Sequence, residues 1–315
     1  MKERINCLYC YDALDENEQD FHTACAKKMF GTVTPPVIGF DLNQLEELAA
    51  QIVVKSVAVT GVQPKLSLHL EKHKNEVSRL TIVGLHGDYI LKPPSAEYQE
   101  LPENEDLTMH LASLAKIKTA HHCLIRLASG ELAYITKRFD RNMNGKVASE
   151  DFCQLTENLT EHKYRGSIEN IGKTARQYTT NKGIELIRLF ELVLFCYLTG
   201  NADMHLKNFA LLENAFGEYE LSPAYDLLST ALVIPDDKDE SALNINGKKR
   251  KLKKGDFDTL AANMGINTKS VENIYTRFAS VLPIWITFIK QSFLSKVMQE
   301  HYIELIGNRH SNLFG

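Results

Sequence analysis

Residues 200–212 read GNADMHLKNFALL, and the segments on either side give them their meaning. Gly183 to Thr199 is strongly apolar with helical spacing, and FALL (209–212) and YELS (219–222) pair as a hairpin around Phe216-Gly217. An apolar helix therefore delivers the chain to a polar loop holding Asp203, His205, Lys207 and Asn208, and a strand leaves it.

Asp203 and Asn208 are five positions apart. That offset serves phosphoryl transfer, where the Asp meets an acceptor hydroxyl and the Asn holds magnesium. Lys207 adds a cation that offsets charge on a transferring phosphoryl group. Eighteen residues beyond Asn208, past the hairpin, SPAYDLLST (222–230) brings Asp226, and Mg²⁺ prefers one or two such protein oxygens. Taken singly, Asp203 and Asn208 are ordinary turn residues and Asp226 an ordinary helix cap; the spacing of the three favours a metal-phosphate site.

Working toward the N-terminus, HCLIRL and LAYITKRF form a strand pair around Ser129-Gly130, and Asn104–Leu114 is helical. Between Ser56 and Lys92, SVAVT and KLSLHL flank Gly61, with LTIV and DYILK following as strands. A glycine there lets backbone N–H groups approach phosphate oxygens, so Thr60, Gly61, Val62, Gln63, Pro64 and Lys65 are a candidate phosphate loop, against a plain hairpin turn. Lys92 closes DYILK, where a strand-borne lysine grips nucleotide phosphates. Glu103 and Glu105 open the next helix, as partners for Lys92 or as acids favouring the helix dipole. Asp41–Val54 is an amphipathic helix, and Phe257–Ile306 is helical with a break at Pro283. The pattern is α+β, in three parts: a small Cys/His-bearing unit over 1–35, a β-rich lobe over 36–140 and a helical lobe over 141–315.

The 315 residues carry 36 Lys+Arg against 40 Asp+Glu, a net charge of −4, which argues against nucleic-acid wrapping. No apolar run approaches the ~20 residues of a membrane helix, and MKERINCLYC is not a secretory signal. A soluble, cytoplasmic protein with no membrane partner is expected. KKRKLKK (248–254) reads as the solvated face of an exposed hairpin, and His121-His122, without a third partner, as surface. Cys123, Cys153 and Cys196 read as reduced core residues. Cys7-x2-Cys10 and His22-x2-Cys25 have the types and paired spacing of a structural Zn²⁺ site, although 11 residues between the pairs is short; zinc and free thiols both stand.

GVQPKLSL (61–68), YILKPPS (89–95), ENE (103–105), KRFDR (137–141), EDFCQ (150–154), NADMHLKNFALL (201–212) and SPAYDLLST resemble, in family order, the HipA-like serine/threonine kinases of bacterial toxin–antitoxin systems. The length resembles the short HipT type. The resemblance implies a two-lobed protein-kinase-like fold with an antiparallel β N-lobe and a mostly α C-lobe. It implies Asp203 as catalytic base, Asn208 and Asp226 as magnesium ligands, and His205 and Lys207 near the ATP. It further implies Lys92 on the phosphates, residues 60–65 as phosphate loop, the backbone of Lys137, Arg138 and Phe139 as adenine hinge, and Tyr225 among the nucleotide contacts. Family members autophosphorylate on hydroxyls just before the loop glycine. Here Ala58 removes one such hydroxyl, leaving Thr60 as the better candidate and Ser56 as the weaker. Implied partners are an aminoacyl-tRNA synthetase as substrate, a HipB-like DNA-binding antitoxin and a HipS-like small protein, with no direct nucleic-acid contact. A small-molecule kinase of the same fold and a non-catalytic subunit of a repressor complex are the rival readings.

Overall fold

The alternating run Leu66-Ser67-Leu68-His69-Leu70-Glu71 buries each leucine and leaves the residues between them less covered, the period of a strand with one face on a core. The structure, a computed structural model, describes residues 6–55, 64–72, 77–83, 87–142 and 145–315, with the side chains of 49–55 set aside. It divides into two compact units: Met1–Asp106 with Ala120–Arg138 and Gln291–Phe293, and Leu107–Thr119 with Phe139–Lys290 and Leu294–Gly315.

The first unit holds α1 (Thr23–Phe30), β1 (Val37–Ile38), α2 (Leu42–Lys55), β2 (Leu66–Glu71), β3 (Arg79–Ile82), β4 (Tyr89–Lys92), the first turns of α3 (Leu101–Leu114), β5 (His122–Arg126) and β6 (Leu132–Lys137). The strands form one sheet in the order β1-β3-β2-β4-β6-β5. Only the two-residue β1 runs parallel to its neighbour; the rest is antiparallel. Leu66, Leu68, Leu91 and Ile135 pack with Cys7, Leu8, Met29 and Phe30 in one core, so the Cys/His segment covers the sheet. The SVAVT strand, the candidate loop residues Thr60–Gln63, and Ser56 lie outside the described residues.

His122 departs from its surface expectation. It is buried, with Nδ1 2.6 Å from Asp106 Oδ1, and the other Asp106 oxygen accepts from Tyr11 Oη at 2.8 Å. A histidine at a strand's inner position cannot stay buried without such partners, and Asp106 lies 16 positions away, beyond any local pattern.

The second unit continues with β7 (Arg141–Asn142), β8 (Gly145–Lys146), β9 (Ser149–Asp151), α4 (Phe152–Leu155), α5 (Ile168–Tyr178), α6 (Lys182–Thr199), β10 (Ala210–Glu213), β11 (Tyr219–Leu221), α7 (Thr230–Val233), α8 (Lys254–Asn263), α9 (Thr268–Gln291) and α10 (Lys296–Phe314). The β10–β11 hairpin adds β9 as a third, antiparallel strand. Trp285 is fully buried; its indole N–H donates to Leu111 O at 2.9 Å, and the rings of Phe195 and Phe278 stand edge-on to it.

Pro283 does not break α9. Proline cannot donate to the carbonyl four residues back, and here that carbonyl, Ala279 O, accepts instead from His310 Nε2 on α10 at 3.1 Å. The break falls at 292–295, where Ser295 caps α10. The basic run is also less of a hairpin than expected. Only Ile245 and Lys248 bridge, around Asn246-Gly247 with φ of 48° and 75°, and Lys254 already begins α8. Its cations are paired locally, Lys248 with Asp256 at 2.8 Å, Lys254 with Asp258 at 3.2 Å and Arg250 with Asp239. Among the described residues no helix is long and apolar enough to cross a membrane.

Candidate active site

The polar loop begins where α6 must stop. Gly200 has φ +74°, and its N–H, with that of Asn201, closes back onto the carbonyls of Tyr197 and Cys196, the left-handed cap that ends many helices. A Cβ at Gly200 would lie 2.7 Å from Leu305 Cδ2, so a side chain there would force that leucine to shift, on top of the positive φ that favours glycine. Thr230 then ties the loop to the end of SPAYDLLST: its Oγ1 donates to Gly200 O at 3.1 Å and accepts from Ala202 N at 2.9 Å.

Within the loop, Asn201 Oδ1 accepts from Asp203 N at 3.0 Å, and Asn208 Nδ2 donates to Asp203 O at 3.1 Å. Both ends of Asp203's own backbone are thus held by side chains. Its carboxylate accepts from Tyr164 Oη at 2.5 Å. Tyr164 was not visible as a site residue in the sequence, since it stands 39 positions upstream in an irregular segment. Burial, followed by the hydrogen bond to Asp203 and the charges of Asp203 and Asp226, pushes the Tyr164 phenol far up. Both carboxylates therefore bear on one hydroxyl. His205 lies edge-on to Tyr164, ring centroids 5.0 Å apart, and is buried. Burial pulls its pKa below the usual imidazole value against the opposing pull of Asp203, so it is neutral at pH 7.

Asp226 follows the hairpin with φ +58°, a conformation few non-glycine residues adopt. Tyr225 Oη donates to Lys207 O at 2.8 Å, and its ring lies 5.2 Å from Phe139. Lys207 reaches Asp151 at 3.1 Å. Asp151 also caps α4, accepting from Gln154 N while the Gln154 side chain accepts from Asp151 N, a reciprocal capping box. Asp203, His205, Lys207, Asn208, Tyr225, Asp226 and Phe139 thus gather around one loop and its hairpin. Beside them a cavity of about 240 Å³ opens between Arg188, Leu192, Phe209 and Leu221 and touches Asn208 but neither Asp203 nor Asp226.

In the first unit Lys92 lies on the strand face opposite Tyr89 and Leu91, yet it is buried. Its ammonium donates to both oxygens of Glu105, at 2.6 and 2.7 Å, and sits 5.5 Å from the Tyr134 ring centroid. Of the two acids expected as partners, Glu105 takes the lysine. Glu103 does not, and burial followed by the charges of Glu100 and Asp106 raises its pKa from 4.5 to about 7. Pro64 and exposed Lys65 lead into β2. The N–H groups of Lys137 and Arg138 donate to His121 O and Asp88 O at 2.8 Å each, so two of the three amides in that stretch are used inside the unit.

The donors at Asp203, Asn208 and Asp226 are hard oxygens of the kind Mg²⁺ takes. Asn208's amide nitrogen is fixed on Asp203 O, which leaves its carbonyl oxygen as the atom it offers a cation. Among the described residues no Lys or Arg forms an ion pair with Asp203, whose Oδ1 accepts from Tyr164. The set suits a divalent ion bearing phosphates.

Several known proteins resemble the chain in sequence or in fold. Y4dM, a protein of Sinorhizobium fredii that carries a kinase name, is 35% identical over 229 residues, 68% of this chain and 55% of that one. The serine/threonine-protein kinase toxin HipA of Shewanella oneidensis is 30% identical over 196 residues, 55% of this chain and 43% of that one. The chain thus spans about half the length of the curated relatives it matches. In solved structures, HipA of Shewanella oneidensis MR-1, in complex with HipB and operator DNA, superposes with a TM-score of 0.68 at 22% identity over 86% of this chain and 71% of that one. The Helicobacter pylori proinflammatory kinase CtkA superposes at 0.53 and 15% identity over 78% and 93%. The fold is kinase-like and α+β. Residues 57–285, which run from before the candidate phosphate loop through Lys92, Asp203, Asn208 and Asp226, match the HipA-like C-terminal domain, and the chain belongs to that family.

Proposed function

We propose that the chain is an ATP- and magnesium-dependent serine/threonine protein kinase and the toxin of a toxin–antitoxin pair, of the short HipT type. Asp203 accepts the proton of a substrate Ser or Thr hydroxyl as that oxygen bonds the γ-phosphorus and the bond to the β-phosphate oxygen breaks. Asn208 and Asp226 hold magnesium, which when bound neutralises phosphate charge. Lys92, oriented by Glu105, grips the phosphates; His205, Lys207 and Tyr225 lie near the nucleotide. Residues 60–65 cradle the phosphates, and the 137–139 backbone receives the adenine. Rate comes from positioning and charge stabilisation. The observation that carries the reading is the Tyr164 hydroxyl on Asp203 Oδ1: this carboxylate, its backbone clamped by Asn201 and Asn208, already receives a hydroxyl proton donor.

The target is a protein such as an aminoacyl-tRNA synthetase, and Thr60, then Ser56, are the autophosphorylation sites. The HipA relative solved with HipB and operator DNA supports a HipB-like antitoxin as partner, with a HipS-like protein as a second.

Labelled ATP incubated with the chain and a panel of synthetases tests this. Asp203→Gln is expected to lower transfer at least about 100-fold, with its circular dichroism unchanged. Transfer by that variant at the wild-type rate would overturn the assignment of the base. ATP consumption with small alcohols and no labelled protein would move the acceptor to a small molecule.

A further inference from the structure

Cys7, Cys10, His22 and Cys25 take no part in the chemistry above. Their donor atoms, three sulfurs and one imidazole nitrogen, all lie within 4.8 Å of one another. Tetrahedral zinc, with Zn–S near 2.3 Å and Zn–N near 2.0 Å, sets S···S edges of about 3.8 Å and S···N edges of about 3.5 Å. Cys10 Sγ and Cys25 Sγ lie 3.4 and 3.7 Å from His22 Nδ1, so the donors already stand near coordination distance.

Two details of the surroundings point the same way. His22 Nε2 is 3.1 Å from Ala13 O. A carbonyl only accepts, so the ring proton sits on Nε2 and the Nδ1 lone pair faces the thiols, the orientation by which a second partner fixes a metal-binding histidine. Finally, His22 occupies the N-cap of α1 and makes no cap hydrogen bond; its side chain turns to the sulfurs instead.

We propose that Cys7, Cys10, His22 and Cys25 form a tetrahedral zinc site that fastens residues 6–30 to the sheet they cover. Cys7 and Leu8 belong to that sheet's core, while Cys10, His22 and Cys25 are only partly covered, within reach of a chelator. Binding releases the thiol protons and ties the fold of this segment to the metal. The inference is independent of the kinase reading.

The full chain, purified from zinc-supplemented growth without chelator, is expected to hold about one zinc per chain by elemental analysis. Cys25→Ser is expected to lose most of it, while Cys153→Ser, at a thiol outside the cluster, keeps it. Should the serine variant fail to fold, wild-type chain stripped by chelator and loaded with cobalt(II) gives the second reading. Thiolate-to-cobalt charge transfer with tetrahedral d–d bands, retained in His22→Cys, supports the site. Little zinc together with no cobalt bands overturns it. So do iron in place of zinc, full zinc in Cys25→Ser, or a Cys10–Cys25 disulfide in chain alkylated during lysis.

Discussion

Lys92–Glu105 and Lys207–Asp151 are the same two functional groups in different surroundings. The first pair is bidentate, with side chains 5% and 1% exposed; the second has one contact at 3.1 Å, with 37% and 17% exposed. Desolvating both charges costs several kcal/mol, and removing one partner of a sealed pair leaves the other in a medium that cannot solvate it. An open pair is screened by water and contributes little. Asp151 also keeps its capping bond to Gln154 N whether or not the lysine is present. The sealed pair therefore fixes its lysine in one place, whereas the open pair can give its lysine up to an arriving anion.

Lys92→Met breaks the sealed pair and is expected to cost about 3–5 kcal/mol in urea denaturation. Adding Glu105→Leu should recover most of that loss, and neither variant should transfer phosphate. A single variant within about 1 kcal/mol of wild type would erase the distinction between the pairs.

Glu103 sharpens the contrast, being a carboxyl on the same helix with no lysine. Its folded pKa of about 7 lies above the ordinary 4.5, so the native state holds a proton that the unfolded chain has released. The native state is thus favoured at acid pH, and that advantage is lost as pH rises through about 7. Glu103→Gln should match wild type near pH 4.5 and exceed it by about 3 kcal/mol at pH 8. Stability curves that stay parallel across this range would count against the raised pKa.

The smallest change is expected from Lys207→Met, less than about 1 kcal/mol in thermal unfolding, with a drop in phosphate transfer. A loss above about 2 kcal/mol would mean that the open pair is not open.

The sequence made the local elements plain, and what it hid was long-range. The leucines of β2, the apolar α6 and the β10–β11 hairpin follow from period and turn residues. The five-residue offset of Asp203 and Asn208 stood out for the same reason, because spacing is visible within one loop. Tyr164 on Asp203 and Asp151 on Lys207 involve residues 39 and 56 positions apart, with no periodicity to reveal them. Pro283 misled because the group that satisfies its orphaned carbonyl, His310, sits on another helix. His122 looked superficial until Asp106 and Tyr11 supplied its partners.

The close approach of Leu305 to Gly200 makes the C-terminal helix a backstop for the polar loop. Shortening α10 before residue 305, or crowding that leucine with a larger side chain, would act on the Asp203 loop from outside it. Fusions and truncations near α10 are therefore changes to the polar loop's support, even though they look remote from it along the sequence.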